Sequence, residues 1–147
     1  MGDKINNTHT RKGGGTGMKK KIFVVDDDPM ITYCVKQALE YYNPMEYDVI
    51  GIEDGKKCLE LLRAKQIPDL ILLDIMMPGM SGWMLSDRLR ENSTWKNIPV
   101  VFLTARTDNF AKKASSSVCE DYIEKPFEST DLERRINKIL KRKKIED

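Results

Sequence analysis

The sequence predicts an α/β domain: five parallel strands in the order 2-1-3-4-5, doubly wound, with helices on both faces. Three observations lead there. From Lys19 onward, short apolar runs alternate five times with segments of helical spacing. The runs "KKIFVV", "DLILL" and "IPVVFL" are continuously apolar, the pattern of strands buried on both faces of a parallel sheet. And 147 residues, 40% of them hydrophobic, supply one sizeable core but not two.

The elements follow in order. "KKIFVV" is the first strand; the helix after it carries Ile31, Cys34, Val35, Ala38 and Tyr42 at helical spacing and closes at Asn43-Pro44. Asp28 is its N-cap, with Pro29 at the first helical position. "YDVIGI" is the second strand, and Asp54 caps a helix that turns Cys58, Leu61 and Leu62 inward. "DLILL" is the third strand, and the next helix starts at Ser81 and bears Trp83, Met84 and Leu89. After the fourth strand, "IPVVFL", the segment "TDNFAKKASSSV" is a weak helix, because its serines compete for local hydrogen bonds. "DYIEKPF" holds a short fifth strand, and the last helix packs through Leu132, Ile136, Ile139 and Leu140.

Composition narrows the classes. A net charge of +2 argues against nucleic acid or a membrane surface as the main partner, and "KRKK" at 141–144 complements a helix C-terminus. No stretch approaches the roughly 18 apolar residues of a membrane span, and no signal peptide opens the chain. The three cysteines, Cys34, Cys58 and Cys119, read as reduced core thiols in a cytoplasmic protein. Residues 1–17, "MGDKINNTHTRKGGGTG", read as a flexible leader or expression remnant, with the folded domain over 18–147. The leader holds His9, the single histidine, so the folded part has none for a Ser-His-Asp triad, a Cys-His dyad or phosphohistidine chemistry.

Ligands in doubly wound sheets bind beyond the carboxyl ends of the strands, where the strand order reverses. Strand one ends in Asp26, Asp27 and Asp28, and strand three in Asp74. Strand four ends in Thr104-Ala105, and strand five is followed by Lys125-Pro126. Asp28 serves as a cap, but Asp26 and Asp27 lie upstream of it and repel each other if unpaired. Side-by-side first and third strands bring Asp26, Asp27 and Asp74 together. Three carboxylates in one cleft call for a cation, and oxygen ligands favour Mg²⁺ over a softer metal.

The set "VVDDDP", "LLDIMMPGMSG", "FLTA" and "DYIEKPF", in this order, resembles the receiver domain of two-component response regulators, a flavodoxin-like fold, over about residues 19 to 142. That resemblance implies a signalling switch in which Asp74 accepts a phosphoryl group from a histidine kinase or histidine phosphotransfer domain. It implies Mg²⁺ held by Asp26, Asp27, Asp74 and the backbone carbonyl of Met76, with Asp26 acting largely through water. It gives phosphoryl-binding roles to Thr104, Ala105 and Lys125, with a cis bond before Pro126, and a switch role to Thr104 and Tyr122. Met76 and Arg106 occupy the positions that tune dephosphorylation. The output surface is the face of the fourth helical segment, the fifth strand and the last helix, open to a downstream protein or to a second copy. Val118-Cys119 departs from the Gly-Ala that the family usually shows there.

The resemblance implies no enzyme beyond self-phosphorylation and slow autodephosphorylation. The chain reads as a stand-alone regulator or as the receiver module of a longer protein such as a hybrid kinase. The rival class is a small Mg²⁺-dependent phosphatase of the haloacid-dehalogenase type, with its aspartate nucleophile in the first acidic motif. That motif carries Thr or Val at its fifth position, where this chain has Met30.

Overall fold

The structure, a computed structural model, describes residues 18–105 and 120–146. Five strands, β1 (Lys20–Val25), β2 (Tyr47–Ile52), β3 (Leu70–Asp74), β4 (Val100–Ala105) and β5 (Asp121–Lys125), pair in parallel in the order β2-β1-β3-β4-β5. The helices among the described residues are α1 (Pro29–Lys36), α2 (Gly55–Arg63), α3 (Gly82–Arg90) and α4 (Ser129–Glu146). The expected serine-rich helix, Arg106 and Cys119 lie outside the described residues, as does the 1–17 leader.

Alternation along the strands builds two cores. Ile22 and Val24 of β1, Leu70 and Leu72 of β3, and Val101 and Leu103 of β4 point to one face. There they meet Val35 and Leu39 from the first helical segment and Leu132, Ile136 and Ile139 of α4. Phe23, Val25, Ile71, Leu73 and Phe102 point to the other face, against Cys58, Leu59 and Leu62 of α2 and Leu85 and Leu89 of α3. Every residue of β3 is buried, as its unbroken apolar run predicts. The helix starts follow the expected chemistry. Asp28 Oδ1 accepts from the Met30 N–H at 2.9 Å, Asp54 Oδ1 from the Lys57 N–H at 2.8 Å, and Ser81 Oγ from the Met84 N–H at 3.2 Å.

Three expectations need correction. The first helix does not continue to Tyr42 on an α-helical period: after Lys36 it widens into a π-helical stretch, Gln37–Tyr41. The wider turn shifts the phase, so Leu39 is buried beside Ala38 and Tyr42 is 63% exposed. In α2, Leu59 takes the buried place given to Leu61, which is partly buried at the edge of the same core. Cys34 is partly exposed instead of being a core thiol; Cys58 is buried, and both are free. Among the described residues no helix is long and apolar enough to cross a membrane.

Candidate functional site

The carboxyl ends of β1, β3, β4 and β5 open on a cleft of about 640 Å³ lined by Asp26, Asp27, Asp28, Asp74, Lys125 and neighbouring loop residues. β1 and β3 are adjacent in the sheet, with Val25 opposite Leu73, so Asp26, just past β1, meets Asp74, the last residue of β3. Asp26, Asp27 and Asp74 each turn a carboxylate oxygen into one space, all within 4.8 Å of one another. Asp26 is 2% exposed and Asp74 5%, while Asp27 is open to solvent.

Lys125 sits at the end of β5, two strands from Asp74, and its side chain reaches across. Its Nζ donates to Asp26 Oδ2 at 3.0 Å and to Asp74 Oδ1 at 3.2 Å. The bond between Lys125 and Pro126 is cis, as expected. Asp26 is fixed from its other oxygen, Oδ1, by the Asp28 N–H at 2.9 Å.

The charges here do not balance. Burial, joined by the field of Asp26, pushes the Asp74 carboxyl above the usual carboxylate range, and Lys125 recovers only part of the shift. For Lys125, burial opposes the charged form, but the hydrogen bond to Asp26 and the fields of Asp74 and Asp26 outweigh it and raise the ammonium. Three carboxylates facing one ammonium leave a negative cleft of hard oxygen donors. That donor set fits Mg²⁺, which takes carboxylate, carbonyl and water oxygens.

The other expected residues separate into two groups. Thr104 is 1% exposed, and its Oγ1 donates to the carbonyl of Ala105 at 3.2 Å. Ala105 lines the cleft and lies opposite Lys125 in the β4–β5 register. Met76 is at the rim with its side chain 72% exposed. Tyr122 is elsewhere: it is half-buried, packs against the α2–α3 side of the sheet, and lies opposite Phe102. It lines a separate cleft of about 460 Å³ with Pro126, Phe127, Asp131 and Arg135. Arg135 was not anticipated from the sequence. Its Nη1 donates to Asp121 Oδ2 at 3.1 Å and to the Tyr122 carbonyl at 3.0 Å, and its Nε lies 3.1 Å from Asp131 Oδ2. An arginine in a basic helix gives no sign in sequence that it will reach a strand.

A family model described as the response regulator receiver domain matches residues 22–137. The alkaline phosphatase synthesis transcriptional regulatory protein PhoP of Bacillus subtilis is 35% identical over 129 residues, covering 87% of this chain and 51% of that protein. Hybrid signal transduction histidine kinase D of Dictyostelium discoideum is 36% identical over 127 residues, covering 86% of this chain and 8% of the kinase. The chain thus spans about half the length of several curated relatives and a small part of another. Among solved structures, the Francisella response regulator 1452 receiver domain is 33% identical with a TM-score of 0.73, covering 85% of this chain and 99% of that one. The N-terminal domain of a response regulator receiver protein from Methanoculleus marisnigri JR1 is 39% identical with a TM-score of 0.63, covering 82% and 95%.

Proposed function

The chain belongs to the response regulator receiver domain family, and from that premise we propose that it is a phosphorylation-driven signalling switch with Asp74 as its phosphoacceptor. One observation carries the reading. Asp26, Asp27 and Asp74 converge within 4.8 Å, and the Lys125 ammonium bridges two of them. Receiver domains partner histidine kinases; the donor here is a phosphohistidine on a kinase or phosphotransfer protein.

Asp26, Asp27, Asp74 and the Met76 carbonyl would hold Mg²⁺. When bound, the ion supplies positive charge that reduces repulsion between two anionic reactants and steadies the charge on the equatorial oxygens. An oxygen of Asp74 attacks phosphorus as the phosphorus–nitrogen bond to the donor imidazole breaks, and the imidazole leaves with that electron pair. Lys125, already between Asp26 and Asp74, pairs with the phosphoryl oxygens. The Thr104 hydroxyl and Ala105 N–H donate to them.

Output follows from Thr104. In our reading its hydroxyl leaves the Ala105 carbonyl for the phosphoryl group, and the space behind it admits Tyr122. Tyr122 is half-buried next to Phe102, two residues before Thr104 on β4, which supports this route. One ligand then biases two arrangements of the β5–α4 face, and the reader of that face is a downstream protein or a second copy. The domain so proposed covers residues 18–147. The free thiols Cys34 and Cys58 support a cytoplasmic setting.

Borohydride reduction tests the acceptor, because it converts an aspartyl phosphate to homoserine. After acetyl phosphate treatment, homoserine is expected at position 74. Homoserine at 26 or 27 instead, or at none of the three, contradicts the reading.

A further inference from the structure

The loop from Ile75 to Ser81, between β3 and α3, leaves directly from Asp74 and returns against its backbone carbonyl at Gly82. Its shape therefore sets where the Asp74 carboxylate lies, and three anchors set the shape. Met77 is buried in the core under α2 and α3. At the base, the Gly82 N–H donates to the Ile75 carbonyl at 2.9 Å. A Cβ on Gly82 would overlap the carbonyl of Asp74 and come within 2.8 Å of the Ile75 Cα, so only glycine lets the loop close on itself there. The third anchor is remote in sequence. Met80 lies against Gly55, the buried first residue of α2. A Cβ at Gly55 would stand 2.8 Å from Met80 Sδ, 3.2 Å from its Cγ and 3.3 Å from its Cβ.

We infer that Gly55 and Met80 are positioning residues for phosphoryl transfer: the bare Cα of Gly55 seats the Met80 side chain and so pins the loop that orients Asp74. This rests on Asp74 being the phosphoacceptor. Met80 touches none of the reacting atoms. Its action passes through the loop backbone to Gly82, which packs on the Asp74 carbonyl, as a supporting layer fixes groups that do the chemistry. A side chain at position 55 pushes the thioether, and with it the loop, away from α2. Truncating Met80 leaves the loop without its outer hold.

The pair makes a reciprocal test. Gly55→Ala, Met80→Ala and the double variant are compared with wild type in three measurements. These are melting temperature, amide exchange at Gly82 without metal, and the rate of phosphoryl uptake from acetyl phosphate with Mg²⁺. Either single variant should speed Gly82 exchange and slow uptake about tenfold, short of the ~100-fold that accompanies a full ångström of misplacement. The double variant should recover part of both, because the alanine methyl fills space the thioether has left. Met80→Ala removes atoms without adding any, so it keeps the test open if Gly55→Ala does not fold. A lowered melting temperature with wild-type exchange and uptake in the single variants overturns the inference. If wild type itself takes up no phosphoryl group, the assignment of Asp74 fails. The exchange of Gly82 then decides the Gly55–Met80 contact alone: faster in the single variants upholds it, unchanged overturns it.

Discussion

Met76 shows what one side chain contributes at the site. It lines the cleft two residues beyond Asp74, and its side chain stands largely in solvent at the mouth. A thioether is a weak acceptor and no donor, so it cannot orient a water for attack on a phosphoryl group at Asp74. Met76→Asn places an amide there, and the phosphorylated protein should lose its phosphoryl group about tenfold faster, ~1.4 kcal/mol off the barrier. Equal decay constants for the two proteins, followed by intact mass after removal of the donor, would dismiss that role. The acids and the lysine were legible in the sequence because a charge at the end of an apolar run has few other reasons to be there. The N–H of Asp28 was not, since every residue carries one and only the fold says which are aimed at a carboxylate.

At the scale of elements, the strands were legible and the first helix only in part. Continuous apolar runs announce buried parallel strands, and β1, β3 and β4 lie where those runs are. A helical stripe read at 3.6 residues per turn does not reveal a π-helical stretch, which is why Tyr42 was placed inward and Leu39 missed. Glu40 Oε2, in that stretch, accepts from the Val49 N–H at 2.7 Å, and Lys36 Nζ, just before it, donates to the Val49 carbonyl at 2.9 Å. Val49 is on β2, an edge strand, so these side chains occupy backbone groups that another strand could otherwise pair with. The same helix packs tightly on β2 at Gly51, where a Cβ would lie 2.5 Å from Thr32 Cγ2. Gly51→Ala should therefore cost about 1–3 kcal/mol, the usual range for overpacking. Adding Thr32→Ala, which removes both Cγ2 and Oγ1, should restore part of it. Urea unfolding of the single and double variants measures both steps, and a Gly51→Ala midpoint equal to wild type would show that α1 yields at no cost.

For the whole molecule, the negative cleft links stability to metal. With Asp74 already raised by burial and by Asp26, the fold holds repulsion that Lys125 only partly relieves. A cation that binds only the folded chain stabilises it by mass action, about 2.7 kcal/mol at a hundredfold excess over its dissociation constant. Mg²⁺ should raise the melting temperature, and Asp27→Asn, which removes the exposed member of the trio, should abolish most of the rise. A melting curve indifferent to millimolar Mg²⁺ would mean the three acids serve another purpose. The central claim, that this fold exists to carry a phosphoryl group on Asp74, is tested most directly by intact mass after incubation with acetyl phosphate, with and without Mg²⁺. Wild type should gain a single phosphoryl group only when Mg²⁺ is present, and Asp74→Asn should gain none. Uptake that survives Asp74→Asn, or wild type that takes up nothing with Mg²⁺ present, would contradict it.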